Sequence, residues 1–115
     1  YCDPEIGSIG LTERAAREKG FDVQVGQFPF MPMAKANIVG EPHGFIKLVA
    51  DKKYGEILGI HIIGPKATEL VASSLALIGG EYTVDELINT MYPHPTLNEV
   101  FPEAARAVYG RALNL

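Results

Sequence analysis

Two apolar runs rich in β-formers, residues 45–50 and 57–63, flank the polar segment Asp51-Lys52-Lys53-Tyr54-Gly55-Glu56, a pattern that predicts a β-hairpin with a longer loop. A shorter run at residues 5–10 predicts another strand. Val23, Val25, Phe28 and Phe30 also alternate with other residues, but their parity changes between positions 25 and 28. That change predicts a strand bulged near Gly26. Residues 31–42 hold Pro32, Gly40 and Pro42 with little periodicity, so they read as an irregular connection with one helical turn, Met31 and Met33 filling apolar gaps.

Helical signals occupy the rest. Thr12 is placed as the N-cap of a helix through Lys19 that Gly20 closes, with Glu13 and Arg17 paired at i,i+4. After Gly64-Pro65, the spacing of Leu70, Val71, Leu75 and Ile78 predicts one amphipathic helix ended by Gly79-Gly80. Thr83-Val84-Asp85-Glu86 has the form of a capping box, with Tyr82 and Leu87 as its hydrophobic staple, and Thr96-Leu97-Asn98-Glu99 repeats that form. Pro102 falls inside the helix that Thr96 starts, where its ring crowds the carbonyl of Asn98, so that helix is expected to kink or restart. The sum is an α+β domain, an antiparallel β-sheet with helices packed against it, over residues 1–115.

Composition narrows the function classes. With 47% apolar and 21% charged residues the chain is an ordinary core-forming globular sequence. A net charge of -4 without any basic run argues against a nucleic-acid surface. The lone Cys2 excludes an internal disulfide or a CxxC pair, which favours a reducing compartment and puts any redox centre elsewhere. Apolar runs as short as residues 57–63 fall far below the ~20 residues of a membrane span, and no targeting segment is seen. The start at Tyr1-Cys2-Asp3-Pro4, without methionine, reads as a piece of a longer chain. Cytoplasm is the expected location, with the mitochondrial matrix as the alternative.

Chemistry concentrates in Tyr92-Pro93-His94-Pro95-Thr96-Leu97-Asn98-Glu99. Prolines on both sides of His94 restrict the backbone, and an X-Pro bond in a tight turn is one of the places where a cis peptide occurs. The Glu99 carboxylate, in the first turn of the next helix, is placed to reach back, fix the tautomer of His94 and raise its basicity. The plainer readings stand beside this: Glu99 as a helix cap alone, and His94 as a turn residue. His43, His61 and His94 have no metal-ligand spacing and no cysteine cluster, so no metal is expected. His61 reads as a satisfied, partly buried strand histidine on the face of Ile57, Gly59 and Ile63.

Four segments in register carry a family resemblance: residues 3–13 (DPEIGSIGLTE), 45–49 (FIKLV), 57–65 (ILGIHIIGP) and 94–99 (HPTLNE). The chain resembles the C-terminal dimerisation domain of the pyridine nucleotide–disulfide oxidoreductases over nearly its whole length. The resemblance implies a homodimer formed through this domain, with His94 and Glu99 as the catalytic acid/base pair in the partner's active site. It also implies that the backbone at His94 and Pro95 lies against the partner's flavin, while FAD, NAD and the redox cysteines belong to other domains. Residues 92–99 and Glu103-Ala104-Ala105 look most like the branch that oxidises dihydrolipoyl groups, with the glutathione-type reductases as the alternative. The ending Arg111-Ala112-Leu113-Asn114-Leu115 lacks the cysteine or selenocysteine pair of mercuric and large thioredoxin reductases. By the same resemblance Asp3 and Glu81 are candidates to meet a basic subunit-binding domain of a 2-oxo acid dehydrogenase complex. A module for dimerisation alone is the rival, since Ala67, Ala72, Ser73, Ser74 and Ala76 permit close helix approach.

Overall fold

Four antiparallel strands form one sheet in the order β1-β4-β3-β2, built from β1 Ile6–Gly10, β2 Val23–Pro29, β3 Phe45–Asp51 and β4 Ile57–Ile63. This computed structural model describes residues 5–38, 40 and 43–110. Cys2, Asp3, Pro4 and residues 111–115, which the sequence reading used, lie outside the described residues. The β3–β4 hairpin is as expected. Asp51, 5% exposed, holds its loop by accepting the Tyr54 N–H at 2.7 Å.

Helices cover both faces of the sheet. On one face lie α3 Ala67–Ser73, α5 Val84–Ile88 and α6 Val100–Val108, over a core that includes Phe28, Phe30, Ile46, Leu48, Ile60 and Phe101. Each such side chain contributes about 1.5–3 kcal/mol by leaving water. On the other face α1 Glu13–Glu18 packs Ala16 against Val23, Val49 and Leu58. Thr12 caps α1 by accepting from Ala15 N at 3.0 Å, and Lys47 on β3 ties to Glu13 at 2.9 Å. The single helical turn of the irregular connection is α2 Ala34–Ile38.

The expected bulge near Gly26 is absent, because β2 pairs one-to-one with β3 from Val23↔Asp51 to Pro29↔Phe45. The change of parity arises because apolar groups are buried on both faces of the sheet, Val23 under α1 and Phe28, with Phe30 just beyond β2, under the α6 side. At Gly26 β2 comes close to α6: a Cβ there would sit 2.2 Å from the Ala104 carbonyl oxygen and 2.6 Å from Val108 Cγ2. The irregular register lies instead in the hairpin, where Val49 faces Gly59 and Ala50 faces Ile57, leaving Leu58 as the extra residue. Ile57 consequently joins the core cluster and not the face of His61, contrary to the sequence expectation.

The helix expected over residues 66–78 is two helices, α3 and α4 Leu75–Gly79, broken at Ser74. The Ser73 hydroxyl donates to the Leu70 carbonyl at 2.8 Å and the Ser74 hydroxyl to the Val71 carbonyl at 2.7 Å, so side chains take over acceptors of the helical ladder. Leu70 and Val71 are buried as expected, while Leu75 is exposed. Of the small residues proposed for close approach, Ala67 and Ser74 are buried and Ala72, Ser73 and Ala76 are exposed. Met33 is buried as a gap-filler; Met31 is exposed, a correction to its expected role.

Candidate functional site

Thr83 and Glu86 form the expected capping box at the start of α5, and the chain then runs through an exposed loop, Pro93-His94-Pro95, before turning into α6. The His94–Pro95 peptide is cis. Thr96 is extended and its hydroxyl donates to the Pro93 carbonyl at 2.7 Å, which closes the loop beneath His94. A 3-10 turn, Leu97–Glu99, leads directly into α6 at Val100. The helix thus restarts, and Pro102 stands in the first turn of α6, where a missing N–H is tolerated.

Glu99 remains within reach of His94. Its Oε1 is 2.9 Å from His94 Nδ1, while its Oε2 accepts from Thr96 N at 3.1 Å. An ionised carboxylate only accepts, so Nδ1 carries the hydrogen and the lone pair of His94 is on Nε2. The imidazole is 71% exposed and the Glu99 side chain 22%. The cap reading and the orienting reading of Glu99 therefore hold together: His94 Nδ1 also lies 3.2 Å from Oε2, the oxygen that caps Thr96 N.

Beside the pair lies a cleft of about 360 Å³, walled by Met33, Tyr92, Pro102, Glu103 and Arg106 among others. Tyr92 packs on Phe101 with ring centroids 6.3 Å apart. Loss of water around the Tyr92 hydroxyl, and secondarily the Tyr82 phenol, raise its proton affinity above the usual 10.0. Sequence reasoning missed the ion pair at the base of this cleft, Arg106 Nη1 to Glu103 Oε1 at 2.7 Å. Glu103 is only 2% exposed; its i,i+3 spacing from Arg106 was the available signal.

The other singled-out residues lie apart from this loop. His61 sits between Ser8 and Lys47 in the sheet, donates through Nε2 to the Leu11 carbonyl at 2.9 Å and accepts at Nδ1 from Ser8 Oγ at 2.7 Å. It is partly buried and fully hydrogen-bonded, as the sequence predicted. His43 is exposed, and among the described residues no group of three or more His, Cys, Asp or Glu is arranged to hold a metal ion. Glu81 is exposed at positive φ after α4.

Fold and loop together define an α+β domain that presents an oriented imidazole at its surface. The chain belongs to the family described as pyridine nucleotide-disulphide oxidoreductase, dimerisation domain, which it matches over residues 1–105. It is 45% identical over 114 residues to the dihydrolipoyl dehydrogenase of Rhizobium etli, covering 99% of this chain and 24% of that protein. The dihydrolipoyl dehydrogenase of Bacillus subtilis is 43% identical over the same length, again with 24% of the relative covered. The chain thus spans about a quarter of the length of these curated relatives. Among solved structures, LpdA of Mycobacterium tuberculosis superposes with a TM-score of 0.83 at 26% identity, over 92% of this chain and 23% of that one. The HOCl-induced flavoprotein disulfide reductase RclA of Escherichia coli shares the fold at 0.83 and 23% identity, over 90% of this chain and 24% of its own.

Proposed function

We propose that this chain is the dimerisation domain of a flavin-dependent dihydrolipoyl dehydrogenase, an enzyme that oxidises the dihydrolipoyl groups of 2-oxo acid dehydrogenase complexes with NAD. In the homodimer it lends His94 and Glu99 to the active site of the partner subunit. The observation that carries this reading is the 2.9 Å bond from His94 Nδ1 to Glu99, which turns a basic Nε2 outward on an exposed loop.

FAD and NAD belong to other domains of the parent. The exposed His94–Pro95 backbone fits contact with a flavin edge, since Pro93 and Pro95 carry no N–H and leave the loop rich in carbonyl acceptors. When bound, the flavin supplies two-electron transfer toward the nicotinamide. His94 does the proton work. Its Nε2 takes the proton from a thiol of the dihydrolipoyl group, the resulting thiolate bonds one sulfur of the redox disulfide, and the other sulfur leaves as thiolate beside the imidazolium. Glu99 steadies that imidazolium through Nδ1.

Glu81, an exposed carboxylate, and Asp3 are the contacts proposed for a basic subunit-binding domain. No helix among the described residues is long and apolar enough to cross a membrane, and cytoplasm is the location proposed.

The test is dihydrolipoamide-dependent NAD reduction by the full-length parent near neutral pH, wild type against His94→Gln. A loss of ~100-fold or more, the size general acid–base catalysis contributes, is expected. An unchanged rate reduces His94 to a turn residue. Turnover with glutathione disulfide but none with dihydrolipoamide moves the parent to the glutathione-type branch.

A further inference from the structure

We infer that the outward face of α3 and α4 is the surface on which two copies of this chain meet, an inference that rests on the homodimer reading and gives it a place on the molecule. Residues 70–80 carry no charge. Leu70 and Val71 are buried, and Leu77 and Ile78 pack against the core. The residues left facing outward are Ala72, Ser73, Leu75, Ala76 and Gly79, with Leu75 58% exposed.

A helix face that meets water ordinarily carries charged side chains. Helices α1 and α5 obey that rule, with Arg14, Arg17 and Glu18 exposed on the first and Asp85 and Glu86 on the second. The α3–α4 face departs from it, and its small side chains let a second backbone approach closely. Charge also identifies the occupant. In a two-fold contact one patch meets itself, so a charge near the axis faces its like at a cost. An uncharged face is free of that conflict and offers a strongly charged partner nothing to pair with. The family to which the chain belongs is described by its dimerisation, and a second copy is the partner that this surface fits.

The face also adjoins the base. Ser73 Oγ lies 3.4 Å from Asn98 Oδ1, in the 3-10 turn that ends at Glu99, so the end of α3 stands beside the His94 loop. A standard interface covers roughly 800 Å² of each partner, more than one short helix face supplies. The contact therefore extends along that loop, where Pro93, His94 and Pro95 are exposed and Met91 is 94% exposed. Pairing of α3 and α4 with their counterparts brings each His94 up against the partner subunit.

The experiment uses the full-length holoenzyme and measures its monomer–dimer constant by sedimentation, wild type against Leu75→Glu and Ala76→Glu, with Arg14→Glu on the exposed face of α1 as the control. A carboxylate brought against its like in the contact weakens the dimer by ~100-fold or more, and Arg14→Glu leaves it unchanged. Dihydrolipoamide turnover falls with the dimer in the two variants and returns as protein concentration is raised. Both positions face solvent in the single chain, and retained flavin absorbance checks the fold; should Leu75→Glu fail to fold, Ala76→Glu decides the matter. A wild-type dimer constant in the folded variants overturns the inference, whether or not they have lost their hold on another subunit of a complex. A wild-type enzyme that sediments as a monomer overturns it too, by removing the homodimer reading itself. If His94→Gln forms the dimer and turns over normally, the base reading falls, a failure distinct from both.

Discussion

Both oxygens of Glu99 face His94 Nδ1, Oε1 at 2.9 Å and Oε2 at 3.2 Å, and Oε2 also accepts from Thr96 N at 3.1 Å. The two roles differ in what they need, a negative charge beside His94 and an acceptor for Thr96 N, and substitution separates them. Glu99→Gln keeps an acceptor for Thr96 N but loses the charge facing His94, so kcat of the parent should fall by about 10–100-fold with little change in melting temperature. Glu99→Ala removes the cap as well and should cost about 1 kcal/mol of stability, read by urea unfolding. Tyr92 gives a prediction at the opposite end of the pH scale. Its folded-state proton affinity is raised by burial and by Tyr82, so its contribution to stability is complete below the ordinary 10.0 and is lost as pH rises through the higher folded value. Tyr92→Phe should flatten the fall in unfolding midpoint above about pH 10, and an unchanged curve would assign that fall to other groups.

Among the elements, the strands and caps were legible because each rests on a local signal: Thr12 and Thr83 bond back to N–H groups three residues on. The features that escaped depend on partners distant in sequence. Nothing beside Gly26 announces that the carbonyl of Ala104, 78 positions later by number, will sit where its Cβ would go. The bulge at Leu58 was misplaced onto β2 for the same reason, since only register between strands distinguishes a bulge from a strand buried on both faces. Ser74 breaks its helix through a local bond, but a serine at that spacing fits an unbroken helix equally well. Of the candidate site, His94 and Glu99 were found from spacing and resemblance, while the Glu103–Arg106 pair was hidden because ion pairs at i,i+3 on a helix are ordinarily solvated. Gly26→Ala should destabilise by about 3 kcal/mol through overpacking of α6 on β2. Gly20→Ala, at φ 92 with open space around it, should cost only about 1–2 kcal/mol; equal costs in chemical denaturation would refute the close-approach account.

Across the whole molecule, two partly exposed carboxylates fasten elements together and make stability depend on acid. Glu5, just ahead of β1, accepts from the Thr68 hydroxyl at 2.8 Å, and that bond, then the Thr68 N–H, lowers its proton affinity below the usual 4.5. Glu13 is lowered likewise by hydrogen bonds from Arg17 and then Lys47. A depressed carboxylate stabilises the fold above its unfolded value of 4.5 and ceases to do so as pH falls through the lower folded value. Glu13→Gln should unfold at less urea than wild type at neutral pH, and the gap should close in acid, below about pH 4; a gap that persists there would mean that Glu13 acts by packing. The groups that aim His94 behave differently from these long-range ties. The Pro93 carbonyl, the Thr96 hydroxyl and N–H, and the Glu99 carboxylate are all supplied by residues 93–99. The orientation of the imidazole is therefore written in one contiguous heptapeptide, a cassette that changes elsewhere in the chain can shift bodily but not take apart.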